Sequence, residues 1–238
     1  MGVDAANKIA DYLIRLLSQK EQVNMIFAAA PSQNEVLAEL CTRKGIDWHR
    51  VNAFHMDEYV GLPFDAPQRF AHFLDQAIFK RLPFRSVFLI QGDSGDAQSE
   101  CNRYADLLRQ YPVDIVCMGI GENTHIAFND PHVADFNDPY LVKLVDLDEV
   151  SRRQQVNDGC FEKLDMVPEQ AITLTIPALT EATYVFCSVP GPTKAEAIRH
   201  TLHDEISATY PSTILRRHPH AVLFMDDAAA KYIGDVHG

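Results

Sequence analysis

The sequence predicts an α/β protein built on a mostly parallel sheet. Three observations carry this. Short uninterrupted apolar runs recur, as at Met25–Ala30, Val113–Met118 and Tyr184–Val189, and such runs suit strands covered on both faces. Stretches with apolar residues at helical spacing alternate with them. The chain of 238 residues, 47% hydrophobic and 23% charged, is long enough to bury a core that needs no disulfide or metal.

The elements follow in order. Ile9, Leu13, Leu16 and Leu17 put roughly 3–19 into an amphipathic helix. The strand at Met25–Ala30 ends at Pro31 and leaves into a loop. A second helix runs through Val36, Leu37 and Leu40 and ends near Gly45. Trp48–Phe54 reads as the next strand, with Asp57-Glu58 just past its end. Phe70–Phe79 is helical, Val87–Ile90 a strand and Ser99–Gln110 a helix. The strand Val113–Met118 runs into Gly119-Ile120-Gly121, and strands follow at Ile172–Thr175 and Tyr184–Val189. A helix over Thr193–Leu202 and a strand at Ala221–Met225 complete the series. No boundary divides it, so one domain is expected over 1–238, with the polar, proline-bearing segment 130–170 as a lid or small insertion.

Composition excludes several function classes. The net charge is −12, from 33 acidic and 21 basic residues, which disfavours nucleic-acid binding through clustered Lys and Arg. No apolar run reaches the length of a membrane span. Five scattered cysteines form no C-x-x-C pair, so reduced thiols in a cytoplasmic protein are expected, with no signal peptide. The pairs His200/His203 and His218/His220 lack a third ligand and read as surface residues, so no metal is expected.

In open parallel sheets, ligands sit beyond the carboxyl ends of the strands, and the chemically informative residues fall there. Asp57 and Glu58 are adjacent carboxylates; in extended chain one points into a cleft and the other into a supporting network. A solvated turn is the alternative. In Gly119-Ile120-Gly121-Glu122-Asn123-Thr124-His125 the glycines let backbone approach a ligand, and His125 has Asp130 five residues on, a pairing suited to proton shuttling. A purely structural histidine would look the same. Pro190-Gly191-Pro192-Thr193-Lys194 opens a helix, where free N–H groups and a lysine suit an anion; an ordinary capped turn is the alternative. Arg152-Arg153 with Gln154-Gln155 is a second anion contact or a solvated helix face.

Together, V-N-A-F-H-M-D-E-Y-V-G-L (51–62), G-I-G-E-N-T-H-I-A-F-N-D-P (119–131), V-P-G-P-T-K-A-E-A-I (189–198) and H-P-H-A-V-L-F-M-D (218–226) resemble the glucosamine-6-phosphate deaminase/isomerase family, whose superfamily includes the 6-phosphogluconolactonases. The resemblance implies a Rossmann-like three-layer α/β/α sandwich. It implies conversion of glucosamine 6-phosphate to fructose 6-phosphate and ammonia without cofactor, in a monomer or homo-oligomer. It makes Asp57 the base that moves a proton between C2 and C1, Glu58 its supporting carboxylate, and His125 the ring-opening group. Asp130 orients His125, and Lys194 binds phosphate.

Three departures from the family pattern stand out. The glycine-rich phosphate loop is replaced by Pro31-Ser32-Gln33-Asn34-Glu35, which leaves Ser32 and Gln33 as phosphate contacts and brings in an acid, Glu35, that would repel one. Asn123 replaces the aspartate two residues before the histidine. The phosphate-binding arginine is absent, with Cys160-Phe161 nearest its place and Arg152 the substitute. Two other functions remain open: hydrolysis of a phosphorylated sugar lactone with His125 as base on water, and a non-catalytic sugar-phosphate sensor.

Overall fold

The computed structural model describes residues 1–234; positions 235–238, the end of the expected domain, lie outside the described residues. The strands are β1 (Val23–Phe27), β2 (Val51–His55), β3 (Asp57–Tyr59), β4 (Ser86–Phe88), β5 (Ile115–Met118), β6 (Val142–Asp146), β7 (Gln170–Leu174), β8 (Tyr184–Val189) and β9 (Ala221–Met225). The helices are α1 (Gly2–Leu17), α2 (Asn34–Leu40), α3 (Phe70–Leu74), α4 (Ala97–Gln110), α5 (Glu149–Asn157), α6 (Ile176–Thr180) and α7 (Ala195–His203). None of the described helices is long and apolar enough to cross a membrane.

Six strands form one sheet in the order β4-β2-β1-β5-β8-β9, and every neighbouring pair is parallel. Alternation along each strand sends side chains to opposite faces. Val23, Met25 and Phe27 of β1 therefore join one core with Ile9 and Leu13 of α1 and Leu37 and Leu40 of α2. Ile26 joins the other, with Tyr104 and Leu108 of α4 and Ile198 of α7. Two cores on two faces of one sheet make the three layers. The chain winds outward from β1 through β2 to β4, then returns to the other side of β1 through β5, β8 and β9. The reversal between β1 and β5 opens a crevice at their carboxyl ends.

A second sheet, β3-β7-β6, is antiparallel throughout, and the sequence reading did not contain it. β2 ends at His55, a single residue crosses over, and Asp57 pairs opposite Thr173 of β7. Asp57 and Glu58 thus lie in a strand of their own rather than in a turn. Three residues are too few for periodicity to register. Segment 130–170, read as a polar insertion, contains β6, which pairs along its whole length with β7, and α5. The residues that α5 buries are Ser151, Gln154 and Gln155, so it shows no apolar stripe. Phe70–Phe79 begins as α3 and continues as a wider π-helical turn over Asp75–Phe79.

Candidate active site

A cavity of about 190 Å³ opens at the crevice. Ala28–Ser32 beyond β1, Gly119–Gly121 beyond β5, and Pro190, Thr193 and Lys194 beyond β8 form its walls. Asp57 enters from the junction of the two sheets, and Gln154, Gln155 and Asp158 enter from α5 and its end.

Asp57 and Glu58 divide as alternation requires. Asp57 lines the cavity, is 7% exposed, and accepts no hydrogen bond from a described side chain. Burial, with the neighbouring Glu58 carboxylate adding to it, pushes its pKa well above the usual carboxylate value. Glu58 points the other way and is fully buried. Its oxygens accept the N–H groups of Tyr59, Phe70 and Ala71, each at 3.0 Å, and Arg69 Nε lies 3.6 Å away. Glu58 therefore caps the first turn of α3 from a distant strand, where the helix dipole favours a negative charge. Burial raises its pKa too, opposed by those N–H groups and by Arg69.

His125 sits in a turn held by two non-glycine residues in the left-handed region, Thr124 at φ 70° and Ala127 at φ 50°. The turn is closed by Gly121 N–H donating to His125 O (2.9 Å) and by Ser212 N–H donating to Thr124 O (3.0 Å). The imidazole lies against Gly121: a Cβ there would stand 2.1 Å from its Cε1. His125 Nδ1 is 2.6 Å from Asn123 Oδ1 and 3.1 Å from Asp130 Oδ1, and Ser151 Oγ is 3.3 Å away. These acceptors fix the proton on Nδ1 and leave Nε2 without a described protein partner. Asp130 is fully buried. Burial pushes its carboxyl up, but hydrogen bonds from His125, Ser151 and Asn123 outweigh it and hold the pKa at about 2.

Asn123 thus serves both partners, since its Nδ2 donates to Asp130 Oδ1 at 2.9 Å. An aspartate at 123 would set two carboxylates against each other there. Ser151 joins the cluster unforeseen by the sequence. The signal was present in the Asp148-x-x-Ser151 spacing, because Asp148 caps α5 by accepting Ser151 N–H at 2.7 Å. Asp158 was also missed, and nothing in its sequence surroundings marks it.

Among the anion-binding expectations, Lys194 and Ser32 line the cavity. Lys194 is 8% exposed, just before α7, and burial lowers its pKa against the opposing pull of Asp158 and Glu122. Gln33 departs from expectation: its amide is buried behind the wall and donates to Ser188 O at 3.1 Å. Arg152 departs too. Its guanidinium donates to Leu164 O at 2.9 Å and Val167 O at 2.8 Å, fastening the turn after α5 rather than facing the cavity. Glu35 does not threaten an anion, since its Oε2 accepts Gly2 N–H at the start of α1.

The family described as glucosamine-6-phosphate isomerases/6-phosphogluconolactonase matches residues 1–224. A glucosamine-6-phosphate deaminase of Bacillus cytotoxicus is 32% identical over 231 residues, covering 95% of this chain and 86% of its own. One from Bacillus cereus is 35% identical over 226 residues, covering 95% and 83%. A solved monomeric glucosamine-6-phosphate deaminase superposes with a TM-score of 0.87 at 26% identity, over 97% of this chain and 94% of its own. The 6-phosphogluconolactonase of Thermotoga maritima, at 22% identity and a TM-score of 0.77 over 94% of each chain, shares the fold. The chain belongs to the glucosamine-6-phosphate isomerase/6-phosphogluconolactonase family.

Proposed function

We propose that this enzyme converts glucosamine 6-phosphate and water to fructose 6-phosphate and ammonia. One observation carries the reading. A buried carboxylate without a hydrogen-bonding partner among the described residues, Asp57, and a histidine with Nδ1 tied down, His125, lie on the walls of the same cavity.

His125 Nε2 takes the proton of the anomeric hydroxyl and returns it to the ring oxygen, opening the ring to an aldehyde. Asp130, Asn123 and Ser151 hold Nδ1 throughout and stabilise the charge that passes through the imidazole. The aldehyde acidifies the C2 proton. Asp57 removes it, and its raised proton affinity suits the transfer. Return of that proton to C1 turns the enolamine into a ketimine, which water cleaves to ketose and ammonia. Apart from the ring C–O bond broken on opening and the C–N bond broken as ammonia leaves the water adduct, each step is a proton transfer or the addition of water. Lys194 anchors the phosphate and Ser32 supports it, so binding energy far from C2 places C2 against Asp57. Glu58 is a positioning residue: it fixes its strand against α3 and adds to the proton affinity of Asp57.

The test is product stoichiometry. Glucosamine 6-phosphate should give ammonia and fructose 6-phosphate in equal amounts. Hydrolysis of 6-phosphogluconolactone with no ammonia from the amino sugar would replace this reading with the lactonase one.

A further inference from the structure

The charges on the cavity wall do not match a phosphate dianion. Two carboxylates, Asp57 and Asp158, face one ammonium, Lys194, among the described residues lining it. A phosphate monoester carries close to two negative charges at neutral pH. Lys194 and the first turn of α7, the latter worth about half a charge, supply about one and a half positive charges. Asp158, on the same wall, opposes them.

The other cations nearby are committed elsewhere. Arg152 is fastened to Leu164 O and Val167 O. Arg153 is exposed and paired with Glu149. Arg69 stands behind Glu58 and bonds Phe64 O. The loop after β1 offers little in compensation: Ser32 reaches the cavity, while the Gln33 amide is turned onto Ser188 O. What remains at this end is neutral. Gln154 accepts Glu122 N–H at 3.0 Å with Oε1, its Nε2 stands 3.5 Å from Asp158 Oδ2, and Gln155 and Thr193 complete the wall. Amides, hydroxyls, one carboxylate and one ammonium suit sugar hydroxyls as well as they suit a phosphate.

We infer that this cavity discriminates weakly between a 6-phosphate and a free 6-hydroxyl, so that unphosphorylated hexosamines are substrates alongside their phosphate esters, with Asp158 the residue that sets the balance. The inference rests on the deaminase reading above. It makes Asp158 a determinant of specificity: its carboxylate raises the KM of the phosphorylated sugar and accepts a hydroxyl of the free one.

The experiment measures ammonia release by the full chain from glucosamine 6-phosphate and from glucosamine, in wild type, Asp158→Asn and Asp57→Asn. The wild-type ratio of kcat/KM between the two sugars should be less than about a thousandfold, smaller than a site built around paired cations would give. Asp158→Asn should raise that ratio about tenfold or more, in KM rather than kcat. A wild-type ratio above about a thousandfold, or one unmoved by Asp158→Asn, overturns the inference and leaves the deaminase reading intact. Ammonia release that survives Asp57→Asn, or none from either sugar in folded wild type, overturns that reading and the inference with it.

Discussion

Replacing Gly121 with alanine adds one methyl group and tests whether the position of His125 matters to the reaction. Gly121 is not among the glycines at positive φ, so alanine suits its backbone and the effect is steric alone. The new Cβ would stand 2.1 Å from Cε1 of His125 and 2.3 Å from each ring nitrogen. Ordinary contact needs about 3.4 Å or more, so the imidazole must withdraw by about 1.3 Å. That movement breaks the 2.6 Å contact between Nδ1 and Asn123 and takes Nε2 away from the substrate. A displacement of this size costs about a hundredfold in rate, and overpacking costs about 1–3 kcal/mol in stability. Ammonia release measures the first and urea unfolding the second. A Gly121→Ala protein that keeps more than half of wild-type kcat would refute both the role of His125 and the reasoning from contact distances.

Three further outcomes follow from the same geometry. The pKa of Asp130, about 2 in the folded protein against an ordinary 3.8, means that the folded state binds this proton more weakly than the unfolded chain. Its contribution of about 2 kcal/mol is complete above the ordinary value and disappears as pH falls through about 2; urea unfolding between pH 5 and pH 2.5 should show this loss in wild type and not in Asp130→Asn. Glu58→Gln keeps one acceptor oxygen and turns its amide hydrogens toward the N–H of either Phe70 or Ala71, and should cost about 1–3 kcal/mol in urea unfolding; an unchanged midpoint would remove Glu58 as the cap of α3. Asp130, Ser151, Gln154, Gln155 and Asp158 all come from 130–170, so saturating substrate should slow proteolysis within that segment if it closes as a lid; equal cleavage with and without substrate would count against closure.

The parallel sheet was legible because its strands are apolar runs buried on both faces, as at Val113–Met118. The helices that cover it were legible because their buried residues recur at helical spacing, as with Ile9, Leu13 and Leu16. What escaped was polar or short. α5 buries serine and glutamine, so the helix that supplies one wall of the cavity carries no hydrophobic period. β3 has three residues, and its pairing with β7 spans more than a hundred positions of sequence, which no local pattern encodes. Among the site residues, position beyond a strand end singled out Asp57, His125, Asp130 and Lys194 as candidates, while their roles came only through the family resemblance. Arg152 and Gln33 misled because charge and position suggested an anion contact, while backbone carbonyls at Leu164, Val167 and Ser188 claim their donors. Buried carbonyls must be satisfied, and sequence does not show which donor will satisfy them.

If Asp57 is the base that removes the C2 proton, isotope exchange at C2 depends on it. The enzyme would be incubated with glucosamine 6-phosphate in deuterated water, and deuterium at C2 of the recovered sugar and C1 of the product followed by NMR, for wild type and Asp57→Asn. Exchange and ammonia release should fall together by about a thousandfold or more in the variant, while the amino sugar still binds by calorimetry. Exchange at the wild-type rate in Asp57→Asn would contradict this assignment and move the base to another residue of the cavity.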